Sequence, residues 1–390
     1  MNKGLLALAI GGFGIGLTEF VIMGILPEVA TAFDISIPKA GHFISAYALG
    51  VVVGAPILTT IGNKWAANRV LLALMLWFTV FNTLSAFATG YNSFIVLRFL
   101  SGLPHGAFFG IGAVVAGKLS KAGKSAQGIA IMFSGLTFAN LLGVPLGTYL
   151  GKHFSWNLSF LLVGFVGILV VLSIKFWMPL LKQSSETHIL DDLKIFKRLE
   201  LWLIILLTTI GTGGFFAWYS YIAPLITDVA KHPEEMVSFA MILAGLGMVI
   251  GNFLGAKLAE KLSPIYAVIV ILSAMVVCLS LNTIFSSDKI MVLVMTFIIG
   301  AVTFCLSTPI QVAIINASEG SETLGSSLNQ SAFNIGNASG AYFAGLPIAM
   351  GYGYTSADWV GAAMAASGVC IAFLIIMLRK YQRKNLKYNN

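Results

Sequence analysis

The sequence predicts an all-α polytopic membrane protein with twelve transmembrane helices, arranged as two parallel pseudo-repeats of six helices. Of its 390 residues, 58% are hydrophobic and only 10% are charged, with a mean hydropathy of +0.91. A soluble domain usually carries about a quarter charged residues, so this composition indicates a lipid environment. Apolar stretches close to the ~20 residues of a membrane span recur along the whole chain. Gly50 and Gly54 also recur as Gly247 and Gly251, 197 residues later.

The apolar stretches define the spans in chain order. The first follows a single lysine and is too long for the core of a signal peptide, so we expect it to remain as a helix. Pro27 ends it, and Pro224 nearly ends the seventh. A polar stretch at about 179–200 separates the sixth span from the seventh and is too short to bury a core. The predicted spans are residues 5–26, 40–61, 70–90, 92–117, 126–150, 157–178, 201–226, 236–258, 264–285, 290–315, 324–350 and 358–378.

The internal repeat predicts the domain organisation. Asn140-x-x-Gly143 recurs as Asn337-x-x-Gly340, at the same offset as the prolines and the paired glycines. Three patterns with one offset indicate a duplication, and parallel halves with a substrate site between them are a known transporter architecture. We therefore predict an N-terminal six-helix bundle at 1–180, a cytoplasmic linker at 181–200, and a C-terminal bundle with a short basic cytoplasmic tail at 201–390.

The distribution of basic residues predicts the orientation in the membrane. With the N-terminus inside, only Lys39, Lys152, Lys231 and Lys289 lie outside, Arg98 lies within a span, and the other 18 of the 23 Lys and Arg lie on the inner side. This asymmetry follows the positive-inside rule and places both termini in the cytoplasm. It also accounts for the net charge of +8 without nucleic-acid binding. The predicted location is the bacterial inner membrane.

Two charged residues lie deep within predicted spans, Glu19 and Arg98. Helical rise places Glu19 about 12 Å and Arg98 about 9 Å from the outer ends of their spans, so they meet if the helices are neighbours. Loss of water favours a neutral carboxyl group, whereas a guanidinium favours a charged one. We predict that Glu19 carries a proton and Arg98 tunes it; a static ion pair that fixes helix packing remains the alternative. The second half is expected to lack such charges, with Phe216 and Met295 at the equivalent positions.

The other candidate residues are neutral. His105 in the fourth span is predicted either to relay protons or bind a ligand, or to make a helix–helix hydrogen bond. Gly143, Pro145 and Gly147 predict a kinked, closely packed fifth span, although ordinary membrane-helix packing gives the same pattern. The aromatic candidates Trp218 and Tyr219 are predicted to contact a ligand, although aromatic side chains suit a lipid-facing position equally well. The candidate ligand-binding residues of the second half are Trp218, Tyr219, Gln311, Asn329, Gln330 and Asn334.

Five segments carry a family resemblance over nearly the whole chain. They are TEFVIMG at 18–24, YALGVVVGAP at 47–56, RFLSGLPHGAF at 98–108, ANLLGVPLGT at 139–148 and NQSAFN at 329–334. With twelve spans and a parallel repeat, the chain resembles the major facilitator superfamily, in its drug:proton antiporter branch, and within that branch the arabinose efflux permease-like exporters.

The resemblance implies roles for individual residues. Arg98 matches the buried arginine of the family's span-four motif, which is associated with proton coupling. Gly143, Pro145 and Gly147 match the span-five motif of exporters that exchange substrate for protons. Spans one, four, seven and ten are expected to line a central cavity. One feature departs from the family: the loop after span two lacks the usual Asp of a charged inner lock and keeps only Lys64 and Arg69.

The sequence therefore predicts a secondary transporter, not an enzyme, that exports a small solute such as a sugar or a drug in exchange for protons by alternating access. We expect no metal and no cofactor beyond the proton-motive force. The expected partners are the solute, protons and the lipid bilayer, with no nucleic acid and a functional monomer. Proton symport or facilitated uptake of a sugar-like solute remains an alternative, and a membrane-embedded enzyme is a more distant one.

Overall fold

The computed structural model describes residues 2–181 and 193–388, and every regular element in those ranges is helical. The part of the predicted linker from 182 to 192 lies outside the described residues. Within the described ranges, eleven helices are long and apolar enough to cross a membrane. A twelfth long helix, Glu322–Ala349, occupies the predicted eleventh span but lacks a stretch as apolar as those of the other eleven. The predicted all-α fold is confirmed.

The first of two compact units contains the six N-terminal long helices and the segment Ser326–Ser331 from later in the chain. In this unit the Ser327 hydroxyl oxygen lies 2.6 Å from that of Thr59. Two short helices, Leu26–Ala32 and Ile37–Ala40, connect the first two long ones. The long helices are α1 (Lys3–Gly24), α2 (His42–Gly62), α3 (Ala67–Ser85), α4 (Tyr91–Leu119), α5 (Ser125–His153) and α6 (Trp156–Trp177).

The second unit begins with a 3-10 turn at Leu193–Lys197, so the described end of the predicted linker belongs to it. Arg198 donates to the carbonyl oxygens of Ala317 and Glu319, and Arg379 forms an ion pair with Glu200 at 2.6 Å. These contacts hold the start of α7 against the end of α10 and against α12. The long helices are α7 (Leu199–Tyr219), α8 (Glu235–Leu262), α9 (Pro264–Phe285), α10 (Lys289–Ala317), α11 (Glu322–Ala349) and α12 (Ser356–Tyr388).

The internal repeat is visible in how each unit packs. In the first unit α2 packs against α4, and in the second α8 packs against α10. A Cβ atom at Gly54 would overlap the Leu103 carbonyl, and one at Gly251 would overlap the Ala301 carbonyl. Only glycine permits helix backbones to approach this closely, so the repeated glycines set the same helix contact twice.

One equivalence predicted from the sequence is wrong by one residue. Gly102 on α4 and Gly300 on α10 make the same close contact with a carbonyl of the partner helix, and they are 198 residues apart rather than 197. The counterpart of Arg98 is therefore Thr296, not Met295. Thr296 is also buried and uncharged, and its hydroxyl donates to a backbone carbonyl of its own helix.

The fifth helix changes its winding at the glycine–proline segment. A π-helical turn, Ala139–Gly143, separates two α-helical parts of α5. Pro145 has no N–H group and cannot continue the α-helical hydrogen bonds, which explains a local change of winding at this point. Cβ atoms at Gly143 and Gly147 would press on Phe13 and Val21 of α1. The segment therefore combines irregular winding with close packing against α1.

Candidate functional site

A buried polar network in the first unit is centred on Arg98, whose side chain is fully enclosed. Its Nη1 donates to the Thr18 hydroxyl at 3.0 Å, and its Nη2 donates to the Thr18 carbonyl oxygen at 3.2 Å. The Thr18 hydroxyl in turn donates to Oδ1 of Asn82 on α3. Hydrogen bonds from a charged donor are about twice as strong as neutral ones, so these contacts hold α4, α1 and α3 together at one depth.

Tyr47 links Arg98 to His105. The Arg98 Cζ atom lies 4.4 Å from the centre of the Tyr47 ring and 5.6 Å from the centre of the Phe160 ring. A cation–π contact without water contributes about 2 kcal/mol or more. The Tyr47 hydroxyl lies 3.0 Å from Nδ1 of His105, which is buried. His105 therefore makes the helix–helix hydrogen bond that was one of its two predicted roles.

Glu19 lies beside this network without joining it. The residue is 5% exposed, and neither carboxylate oxygen has a hydrogen-bond partner among the described residues. Arg98 binds Thr18, the preceding residue, and within the described ranges no ion pair joins it to Glu19. The static ion pair is thus absent from this structure. An unpaired ionised carboxylate is costly to bury, so Glu19 is suited to holding a proton.

The Tyr47 ring and hydroxyl make separate contacts, and substitutions separate them. We expect Tyr47→Phe to keep most transport activity, because the ring still covers Arg98 and only the bond to His105 is lost. Tyr47→Leu removes both contacts, and we expect it to lower the transport rate at least about tenfold, the effect of about 1.4 kcal/mol. Transport rates in proteoliposomes with equal amounts of folded protein would measure this. Equal losses in the two variants would contradict it.

The aromatic candidates of the second unit form a buried cluster. Tyr219 stacks on Phe215 with ring centres 4.9 Å apart, and the Trp218 ring centre is 6.0 Å from that of Tyr219. Trp218 is 1% exposed and Tyr219 is 9% exposed. Both rings therefore face the protein interior, and the alternative that they face lipid is wrong.

The polar candidates are also buried but belong to different parts of the fold. Asn329 and Gln330 lie in the segment that groups with the first unit, whereas Gln311 and Asn334 lie in the second unit. Each is at most 5% exposed. Burial of polar side chains on two membrane helices is expected when they serve a polar interior rather than lipid.

Sequence reasoning missed one buried acidic residue, Asp358. This residue in the first turn of α12 is fully enclosed, and its Oδ2 accepts a hydrogen bond from Asn282 Nδ2 at 2.9 Å. The expectation that the second half lacks buried acidic or basic residues is therefore wrong. Asp358 is the first residue of its predicted span, so the sequence alone places it at the membrane boundary. Its burial becomes visible only from the packing of α9 and α7 against α12. Thr18, Tyr47 and Asn82 were also missed; a polar Asn in the apolar third span was the available signal.

The family is decided by comparison with known proteins. A family model described as the Major Facilitator Superfamily matches residues 8–341. The chain belongs to the major facilitator superfamily. It is therefore a multi-pass membrane transporter, and the predicted family resemblance is confirmed.

Similar members of the superfamily cover almost the entire chain. The putative transporter AraJ of Escherichia coli K12 is 38% identical over 384 residues, 98% of this chain and 97% of AraJ. A chloramphenicol resistance protein of Streptomyces lividans is 24% identical over 370 residues, 94% of each chain. A crystal structure of the E. coli fucose:proton symporter FucP aligns with a TM-score of 0.77 at 15% identity, covering 96% of this chain and 99% of that chain, and so shows the same fold.

Proposed function

We propose that this major facilitator protein exports a small solute in exchange for protons, with Glu19 as the proton carrier. The observation that carries the proposal is the burial of both Glu19 carboxylate oxygens without a partner among the described residues. A carboxyl group in this position binds a proton when water is excluded and releases it when water reaches it. Alternating access supplies that change of hydration during each transport cycle.

Arg98 acts on this carboxyl group from an adjacent position. Its guanidinium donates hydrogen bonds to the Thr18 carbonyl and hydroxyl oxygens. The positive charge therefore lies next to the residue that precedes Glu19 and, in the described part of the chain, forms no direct ion pair with the Glu19 carboxyl group. A nearby positive charge favours the ionised carboxylate and opposes the effect of burial. We infer that the two opposing influences allow Glu19 to exchange its proton during transport.

Export is favoured over uptake by the fifth helix and by one relative. Gly143, Pro145 and Gly147 match the exporter motif, and the structure gives this segment a π-helical turn packed on α1. The similar Streptomyces protein is named for chloramphenicol resistance, which export would provide. We place the protein in the bacterial inner membrane, where the asymmetry of basic residues orients both termini toward the cytoplasm. The fucose:proton symporter resembles this chain only in its fold. A shared fold does not determine the direction of transport, so uptake remains the second candidate.

The substrate class is a neutral or weakly charged small solute. Apart from Glu19, Arg98 and Asp358, the candidate side chains described above are aromatic, hydroxyl, amide or imidazole groups. Such groups bind sugar hydroxyls and aromatic drugs, and they supply little charge for a strongly ionic solute such as a nucleotide. Sugars and chloramphenicol-like drugs are therefore the two probes to compare.

A proton-movement assay tests the proposal with a small panel of solutes. Everted vesicles from a strain without the common efflux pumps are acidified inside, and L-arabinose, L-fucose or chloramphenicol is added while a dye reports the internal pH. We expect at least one solute to release protons from the vesicles, because an exporter moves solute inward here. Vesicles without the protein are the control. Further acidification on solute addition would indicate symport, and labelled-solute exchange without any proton movement would indicate facilitated diffusion.

A further inference from the structure

A second buried polar cluster lies in the second unit, where α9 ends and α12 begins. It consists of Asp358, Asn282 and Ser286, each at most 1% exposed. Asn282 and Ser286 are one turn apart at the end of α9, and the Ser286 backbone N–H donates to the Asn282 carbonyl. The Asn282 amide donates to one carboxylate oxygen of Asp358, which fixes the orientation of that amide.

The cluster contains more acceptors than donors. Asp358 Oδ1, Asn282 Oδ1 and the Ser286 hydroxyl oxygen are all buried and have no hydrogen-bond partner among the described residues. If Asp358 is ionised, Asp358 Oδ1 and Asn282 Oδ1 are both acceptors, and neither receives a hydrogen bond from a described residue. Leaving a buried acceptor unpaired costs about 1–3 kcal/mol. One additional hydrogen at the carboxyl group removes this deficit.

The surroundings of Asp358 supply no compensating charge. No ion pair to Asp358 occurs in the described parts of the chain. Lys289 and Asp288 are solvent-exposed, and Asp288 already accepts from two backbone N–H groups at the start of α10. The titratable or charged groups at this end of the neighbouring elements are Cys278 on α9, Tyr219 and Tyr221 at the end of α7, His232, whose Nε2 lies 2.8 Å from the Lys289 carbonyl oxygen, Asp288 and Lys289 at the start of α10, Tyr342 on α11, and Tyr352 and Tyr354 before α12.

We propose that Asp358 is a second proton-binding site, in which the protonated carboxyl group pairs with the Asn282 amide. The amide N–H already donates to Oδ2, and a proton on Oδ1 supplies the donor that Asn282 Oδ1 lacks. The two groups then form a closed acid–amide pair with two hydrogen bonds. The site lies in the second unit and is separate from Glu19, so it does not depend on the proposed transport mechanism.

A proton fits this cluster better than a metal cation. Hard cations such as Ca²⁺ take six to eight oxygen ligands, whereas the cluster offers three unpaired oxygens. The first unit offers a comparison at its corresponding pair of helix ends, the end of α3 and the start of α6. There the uncharged amide of Asn157 donates to the Ala86 carbonyl oxygen and makes the connection without any charge. A neutral Asp358 would make the equivalent connection in the second unit.

Infrared spectroscopy of the purified full-length protein at neutral pH tests this proposal directly. A protonated carboxyl group has a C=O stretching band that a carboxylate lacks. We expect Asp358→Asn to lose one such band that Glu19→Gln retains, and Asp288→Asn, an exposed carboxylate nearby, to lose none. If Asp358→Asn instead loses only carboxylate absorption, Asp358 is ionised and the proposal is wrong. If Glu19→Gln transports solute normally while Asp358→Asn loses the protonated-carboxyl band, only the proposed transport mechanism is wrong.

A second variant keeps the test decisive if Asp358→Asn does not fold. Asn282→Ala removes the amide that donates to the carboxyl C=O, so we expect the protonated-carboxyl band to persist and move to higher frequency. An unchanged spectrum would overturn the pairing. Thermal unfolding in NaCl and in choline chloride distinguishes a cation: stabilisation by Na⁺ that disappears in the Asn282 variant would show a sodium site and overturn the proton assignment.

Discussion

Replacing Glu19 with Gln is expected to reduce proton-driven solute accumulation to the level of vesicles without the protein. Glutamine has the size of the protonated acid and keeps the helix packing, but it cannot release a proton. Solute exchange between the two sides without a pH gradient should fall as well, because in antiport the proton-bound carrier, which glutamine mimics, crosses the membrane without solute. Measuring accumulation and exchange at equal amounts of folded protein separates this loss of function from a loss of folding.

A matched control distinguishes the role of Glu19 from a general effect of removing a carboxylate. Glu235 is exposed in the first turn of α8, and Glu235→Gln makes the same chemical change outside the apolar interior. We expect that variant to transport normally. Undiminished pH-driven accumulation by Glu19→Gln would show that the proton is carried elsewhere.

Replacing Arg98 with Lys is expected to lower the transport rate at least about tenfold, although the charge is conserved. The guanidinium donates to two different atoms of Thr18 and faces the Tyr47 ring, and a compact ammonium group cannot reproduce that planar geometry. Each hydrogen bond from a charged group is worth about 1.5–3 kcal/mol, so one lost contact is sufficient for the expected effect.

The same substitution in the C-terminal tail provides the control for Arg98. Arg383 lies in the last part of α12, beyond the predicted twelfth span, and Arg383→Lys should transport like the unmodified protein. Transport rates must be compared at equal amounts of folded protein, judged by size-exclusion chromatography. Full activity of Arg98→Lys would mean that position 98 requires only a positive charge, and the two-point contact with Thr18 would have no role in transport.

The helices were predictable because length and hydropathy determine a membrane span almost without tertiary information. Each predicted span corresponds to a helix, and several ends agree within two residues, such as Trp156–Trp177 for the predicted 157–178. The division of α10 at Leu306, into Lys289–Cys305 and Ser307–Ala317, was not predicted. Pro309, in the first turn of the second part, has no N–H group to donate to the Cys305 carbonyl, and it was the available sequence signal for a break.

The site was predictable in depth but not in rotation. Counting residues along α1 and α4 places Glu19 and Arg98 at similar heights, and Arg98 does reach the residue next to Glu19. Adjacent residues on a helix point about 100° apart, so contact with Thr18 leaves the Glu19 side chain in a different direction. Rotation depends on how side chains interlock across the helix pair, and composition along one helix does not contain that information.

The polarity of α11 has a consequence for how the protein is assembled. This helix carries Ser326, Ser327, Asn329, Gln330 and Ser331 within two turns, and it is the long helix that falls short of the apolarity of a membrane span. Such a segment gains too little from lipid to remain in the bilayer alone. Gly336 and Gly340 bring it against the backbone of α7, which was synthesised more than a hundred residues earlier. We therefore expect insertion of α11 to depend on a protein surface that is already in the membrane. The surface of α7 must then stay uncovered until α11 emerges from the ribosome.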